Sequence, residues 1–139
     1  MKKIMIVDDN YLSAEGIEKN IDWETLNAEI IHVCYNGTSA IEAMKKEPAD
    51  LIISDIEMPD LDGISMSRQA LEINPMVKII LISAYDKFEY ARRALLLGAL
   101  DYIEKPLDYA YLIQKVKNAF ALMEKEQKNL QLLKQSRPL

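Results

Sequence analysis

A single cysteine stands among the 139 residues, so no internal disulfide can hold the fold, and Cys34, set among apolar neighbours, reads as a small buried hydrophobe rather than a reactive thiol. Basic residues are also scarce: 17 Lys and Arg face 22 Asp and Glu, a net charge of −5. That balance excludes a sequence-independent grip on nucleic acid, which needs clustered cations to neutralise phosphates. Long apolar runs are missing. Behind Met1-Lys2-Lys3 the first run covers residues 4–7 before two aspartates, too short for the core of a secretion signal, and none reaches the ~20 residues of a membrane span. The expected compartment is the cytoplasm, with no membrane partner. What remains is half-hydrophobic sequence of ordinary length, enough for one domain with a sizeable core.

Short apolar segments without alternation lie at residues 4–7, 30–33, 51–53 and 77–82, as expected of parallel strands covered on both faces. A fifth, residues 100–103, is interrupted by Asp101 and suits an edge. Helix-length segments separate them. Residues 11–20 follow Asn10 as an N-cap, and a segment after Gly37 sets Ala40, Ile41 and Met44 on one face. Gly63 opens a third helix, with Ile64, Ser67 and Leu71 in register, and Pro75 stops it. In the fourth, Asp86 and Glu89 have capping-box spacing, Phe88, Ala91 and Leu95 form an apolar stripe, and Gly98 closes the end. This alternation predicts a doubly wound α/β fold with helices on both faces of the sheet. A fifth helix starts near Asp108 and meets no Gly or Pro until Pro138, a span on the order of 40 Å. Leu112, Val116, Ala119, Met123, Leu130 and Leu133 keep a 4-3 spacing that Glu126 breaks. Residues 124–139 therefore read either as the start of a coiled-coil linker or as a polar tail beyond a core stripe, and Arg137-Pro138-Leu139 as a place where a chain has been cut. The expected organisation is one domain over residues 1–123 followed by that linker.

Several runs end in residues suited to phosphate chemistry: Asp8-Asp9 after the first, Asp55 after the third, Ser83 after the fourth and Lys105 after the fifth. In one parallel sheet these ends share an edge, where open α/β sheets bind their ligands. Clustered carboxylates raise one another's pKa, and magnesium, which takes carboxylate oxygens and shares its shell with phosphate, relieves the strain. Asp8-Asp9 alone serve equally as acids at a helix start. Asp55 sits where a buried strand opens into a loop punctuated by Pro59 and Gly63, aimed to attack phosphorus and form an acyl phosphate. Lys105 offers a second positive charge, Ser83 a hydrogen bond to the phosphoryl group, and Ala84 leaves room for its oxygens. His32 in its apolar strand reads as a satisfied structural histidine, and Trp23 as packing under the loop before the second strand.

The set Asp8-Asp9, Asp55-Ile56-Glu57-Met58-Pro59, Gly63, Ser83-Ala84 and Lys105-Pro106, in this order and spacing, closely resembles the receiver domain of bacterial two-component response regulators over residues 1–123. The resemblance implies a flavodoxin-like sheet of order 2-1-3-4-5. It implies Asp55 as phosphoacceptor for a sensor histidine kinase, and a Mg2+ or Mn2+ site built from Asp9 and Asp55, Asp8 directly or through water, and the backbone carbonyl of Glu57. Lys105 pairs with the phosphoryl group ahead of a cis bond to Pro106, while Pro59, Gly63 and Pro106 are structural. Ser83 and Tyr102 form a switch pair: Ser83 moves toward the new oxygens and Tyr102 turns into the vacated space. Beyond self-phosphorylation from a donor and slow autodephosphorylation, no enzymatic turnover is expected. Glu57 and Tyr85, beside the site, tune the phosphoryl lifetime.

Tyr85, Phe88, Tyr90, Leu96 and Leu97 form an apolar and aromatic group too large for the fourth helix to bury, so part of it is expected to meet a partner. A homodimer through helix four, strand five and helix five, or through the C-terminal helix, is open. The segments Ile21-Asp22-Trp23-Glu24 and Ser83-Ala84-Tyr85-Asp86-Lys87-Phe88-Glu89-Tyr90-Ala91 resemble the subfamily whose output is an AraC-type helix-turn-helix transcription factor, so DNA would be met only through an output domain outside these residues. A haloacid-dehalogenase-type phosphatase also uses a strand-end aspartate, magnesium and lysine. Its second acid, where Glu57 stands, is normally Asp followed by Thr or Val rather than Met58-Pro59, and this length leaves no room for a cap domain. A pseudo-receiver that only binds partners would lack an acceptor or metal residue, and none is missing. A flavodoxin needs a Ser/Thr-rich phosphate loop after strand one, where Asp8-Asp9-Asn10 would repel the phosphate.

Overall fold

The computed structural model describes residues 1–84 and 88–135, with the side chains of Phe88 and Leu95 left out. The elements alternate throughout: β1 (Lys2–Val7), α1 (Tyr11–Asn20), β2 (Ala28–Cys34), α2 (Gly37–Lys46), β3 (Leu51–Asp55), α3 (Gly63–Ile73), β4 (Lys78–Ser83), α4 (Phe88–Leu97), β5 (Asp101–Glu104) and α5 (Tyr109–Gln135). The strands form one parallel sheet in the order β2-β1-β3-β4-β5, the flavodoxin-like order expected. Its register aligns Cα atoms across the whole sheet, Cys34 with Val7, Val7 with Ser54, Ser54 with Leu81 and Leu81 with Tyr102. Asp8, Asp55 and Ser83 consequently come out at the same carboxyl edge.

Strand side chains alternate between two apolar layers. Met5, Val7, Ile52, Ile79 and Leu81 pack with residues of α2, α3 and α4, among them Met44, Ile64, Met66 and Ala94. Ile4, Ile6, Leu51, Ile53, Ile80 and Ile82 pack with Ala14 and Ile17 of α1 and with Leu112, Val116, Ala119 and Phe120 of α5. Asn10, Asn36 and Asp62 cap α1, α2 and α3, each side chain accepting the amide three residues on. Gly98, at φ +89°, ends α4 in the left-handed region. Trp23 is buried and donates its indole N–H to the Ile17 carbonyl at 3.2 Å, and the His32 Nε2 lies 2.9 Å from the Glu47 carbonyl. Cys34 is buried, and burial pushes its thiol pKa up.

On α4 the described residues that meet the core are Tyr90, Ala94 and Leu97. Of the stripe expected on Phe88, Ala91 and Leu95, the side chains of Phe88 and Leu95 lie outside the described residues, as do the capping residue Asp86 and Tyr85. The fifth helix runs unbroken to Gln135, as its lack of Gly and Pro predicts, with Leu130 and Leu133 exposed. Glu126, the residue that breaks the 4-3 spacing, pairs with Lys78 of β4 at 2.7 Å, so the slot is used within the chain.

Candidate functional site

Asp8 leaves β1 buried, with its Oδ1 accepting the Asn10 amide at 2.9 Å. Asp55 ends β3, also buried, and accepts the Ile56 amide at 3.0 Å. Asp9 beside them is exposed. One oxygen from each of the three carboxylates lies within 4.8 Å of the others. The Lys105 Nζ sits 3.3 Å from Asp8 Oδ2 and 3.6 Å from Asp55 Oδ2. Three acids thus face one lysine. Burial first, then the Asp8 charge, pushes the Asp55 pKa up to about 6, and burial raises that of Asp8 as well. Such an all-oxygen donor set, two members buried and short of positive charge, suits a hard divalent cation of the Mg2+ or Mn2+ type.

The loop after Asp55 is fastened on three sides. Gly63 must be glycine, because a Cβ there would collide with the Asp55 carbonyl oxygen, and its amide donates to the Ile56 carbonyl at 2.8 Å. Asp60 accepts the amides of Gly37 and Thr38 at 3.3 and 3.2 Å, together with the Thr38 hydroxyl, at the start of α2. The Thr38 hydroxyl, aided by backbone amides, holds the Asp60 carboxyl down at about 2. Toward α4, Glu57 Oε1 accepts the Tyr90 hydroxyl at 2.9 Å, and Arg93 lies 3.9 Å from Asp62. A cavity of about 430 Å³ opens here, lined by Asp9, Ile56, Glu57, Met58, Pro59, Asp62 and Tyr90. Another of equal size, lined in part by Met1, Asn27, Phe120 and Leu130, does not include any of the acid cluster.

Ser83 ends β4 fully buried, and its carbonyl accepts the Lys105 amide at 2.8 Å, which ties β5 to β4 beside the acids. The Lys105-Pro106 bond is cis. Tyr102 is half-buried in β5 against the layer that α2, α3 and α4 cover. The structure therefore gathers Asp8, Asp9, Asp55 and Lys105 into one cluster, with Ser83 at the adjoining strand end, Glu57 and Pro59 on the cavity wall and Tyr102 one strand across. What sequence reasoning missed is the fastening: the Glu57–Tyr90, Asp60–Thr38 and Asp62–Arg93 contacts. An aspartate near a helix start was a usable sign for Asp60, since helix N-termini attract carboxylates, but which helix it serves is not written in the spacing.

Residues 4–117 match the family described as "Response regulator receiver domain". Among relatives, the transcriptional regulatory protein YesN of Bacillus subtilis is 29% identical over 126 residues, which cover 91% of this chain and 34% of YesN. The chain thus spans about a third of the length of that relative. Among solved structures, the REC domain of AraT, a response regulator from Geobacillus stearothermophilus, is 34% identical with a TM-score of 0.85, covering 91% of this chain and 98% of that one. A two component transcriptional regulator AraC from Clostridium phytofermentans is 30% identical with a TM-score of 0.81, covering 93% and 99%. With most of its length matched and this acid cluster at the sheet edge, the chain belongs to the receiver domains of two-component response regulators.

Proposed function

We propose that Asp55 accepts a phosphoryl group from a phosphohistidine of a sensor histidine kinase in a reaction that requires a divalent cation, and that this modification switches a transcriptional output. The observation that supports the reading best is the placement of the Asp55 carboxylate at a strand end beside a buried acid and within 3.6 Å of Lys105. An Asp55 oxygen attacks phosphorus, the N–P bond breaks, and its electron pair stays on the imidazole nitrogen, leaving an aspartyl phosphate. Water later attacks phosphorus, the P–O bond to Asp55 breaks, and orthophosphate leaves with the carboxylate regenerated. Asp8, Asp9, Asp55 and the Glu57 backbone carbonyl would hold Mg2+ or Mn2+, whose charge offsets that of the phosphoryl oxygens.

Lys105, released from Asp8, supplies the second positive charge to those oxygens. Ser83 donates its hydroxyl to them and Tyr102 follows into the space Ser83 leaves. Pro59, Gly63 and Pro106 keep the two loops in shape. Residues 1–123 form the receiver and 124–139 begin the linker: α5 buries its last residue at Phe120, and among the described residues beyond Met123 all but Glu126 are exposed. The likeness to AraT and to the AraC regulator supports an AraC-type output, through which alone DNA would be bound. No helix among the described residues is long and apolar enough to cross a membrane. Tyr11 and Leu12 are both exposed at the start of α1, with Tyr11 stacked on Tyr35 at 4.1 Å. Borohydride trapping tests the acceptor: after exposure to acetyl phosphate and Mg2+, reduction converts an aspartyl phosphate to homoserine, expected at position 55; homoserine elsewhere, or none, overturns the assignment.

A further inference from the structure

We infer that Tyr90 is a positioning residue that keeps the Glu57 carboxylate out of the path of the phosphoryl donor, tying α4 to the acceptor loop as it does so. The inference rests on Asp55 being the acceptor.

Glu57 follows Asp55 by two residues and lines the same open cavity as Asp9 and Asp62, so a fourth side chain of negative charge stands next to a cluster that already holds three carboxylates against one lysine. Every phosphoryl donor is an anion, and a mobile carboxylate at the mouth would oppose its approach. Tyr90 meets this difficulty geometrically. Its hydroxyl donates to Glu57 Oε1 at 2.9 Å, while its ring packs against the core layer that α2, α3 and α4 cover. A half-buried ring is a firm anchor, and a hydrogen bond to a carboxylate is among the stronger ones available to a neutral donor. One turn along, buried Ala94 seats the same side of α4 on the sheet, and Arg93 stands 3.9 Å from Asp62 at the far end of the loop. Two residues of one helix thus contact two acids of the acceptor loop, and the Glu57 carboxylate is fixed at one point of the cavity wall. The same contacts make α4 the element that feels any movement of the loop.

The test uses Tyr90→Phe, which keeps the ring and loses the hydroxyl, together with Glu57→Gln and the double variant. With acetyl phosphate and Mg2+ at low salt, Tyr90→Phe is expected to be phosphorylated roughly three- to ten-fold more slowly than the wild type, with the deficit shrinking as salt rises. In the Glu57→Gln background, where no charge needs holding, adding Tyr90→Phe is expected to change nothing. Hydrogen exchange on the metal-free protein gives a second readout that needs no phosphorylation: α4 amides are expected to exchange faster in Tyr90→Phe. A wild-type rate in Tyr90→Phe overturns the inference, as does a deficit that persists unchanged beside Glu57→Gln, since that describes a merely structural hydroxyl. Unchanged exchange in α4 overturns the tie to the loop. Failure of the wild type itself to take a phosphoryl group defeats the acceptor reading and this inference together, whereas a labelled wild type with an unaffected Tyr90→Phe defeats this inference alone.

Discussion

The carboxyl edge of the sheet has two sides built to different standards. On the β1 and β3 side, residues 4–7 and 51–55 are buried without exception, and α1, α2 and α3 contribute two, four and five buried residues. Beyond the equally buried β4, on the α4–β5 side, Ala94 is the buried residue of α4 among those described, Leu96 is 75% exposed, and β5 buries Ile103 while Tyr102 lies half-open. The proposed acceptor Asp55, buried Asp8 and Ser83 thus stand on the well-packed side, and Tyr102, proposed to follow Ser83, stands on the other. Elements with little buried surface reposition at small cost, whereas a moved β3 would open the core. Under the proposed function the fixed side would carry the nucleophile and the loosely packed side the response.

Stability measurements separate the two sides, beginning with the largest effect. Ile53→Ala deletes a fully buried side chain beneath Asp55 and is expected to cost about 3–4 kcal/mol in urea unfolding; a loss below 1 kcal/mol would mean that the acceptor strand is not the firm side. Mg2+ binding only the folded state is expected to raise the melting temperature, by the equivalent of about 2.7 kcal/mol at a hundred times its dissociation constant, and Asp9→Ala to remove most of that gain. Persistence of the full shift in the variant would contradict the carboxylate site.

Next comes the charge on Asp55. Its folded pKa of about 6 lies above the ordinary 3.8, so the folded state holds this proton more tightly than the unfolded one. The associated stability is present below pH 4 and is lost as the pH rises through 6 in metal-free protein. Asp55→Asn is expected to flatten that fall and to stabilise the metal-free protein by about 1–2 kcal/mol at pH 7. Equal or lower stability of the variant would remove like-charge strain from the site. Smallest is Leu96→Ala, expected to stay within about 0.5 kcal/mol because the side chain is mostly in water; a loss above 1 kcal/mol would show that α4 is held as firmly as α1 to α3.

Much of this organisation was legible in the sequence, for identifiable reasons. Continuous apolar runs located β1 to β4, because buried parallel strands are covered on both faces, while edge strand β5 showed only as a run broken by Asp101. Strand ends differ from those runs by one or two residues, as with Lys2 of β1, because backbone pairing does not stop where an apolar run does. Asn10 and Gly98 marked helix ends correctly, since capping chemistry is local. Asp8, Asp9, Asp55 and Lys105 could be brought together because parallel strands align their carboxyl ends. What could not be read was which side chain reaches which across the fold. Glu57 was noticed beside the site and Tyr90 among the aromatics of helix four, yet 33 positions separate them and no periodicity joins them.

Intact mass after incubation with acetyl phosphate, with and without Mg2+, on the wild type and on Asp55→Asn, tests the central claim most directly. A gain of one phosphoryl group that requires Mg2+ and disappears in Asp55→Asn is the expected result. No gain in the wild type, or a gain that survives Asp55→Asn, would contradict it.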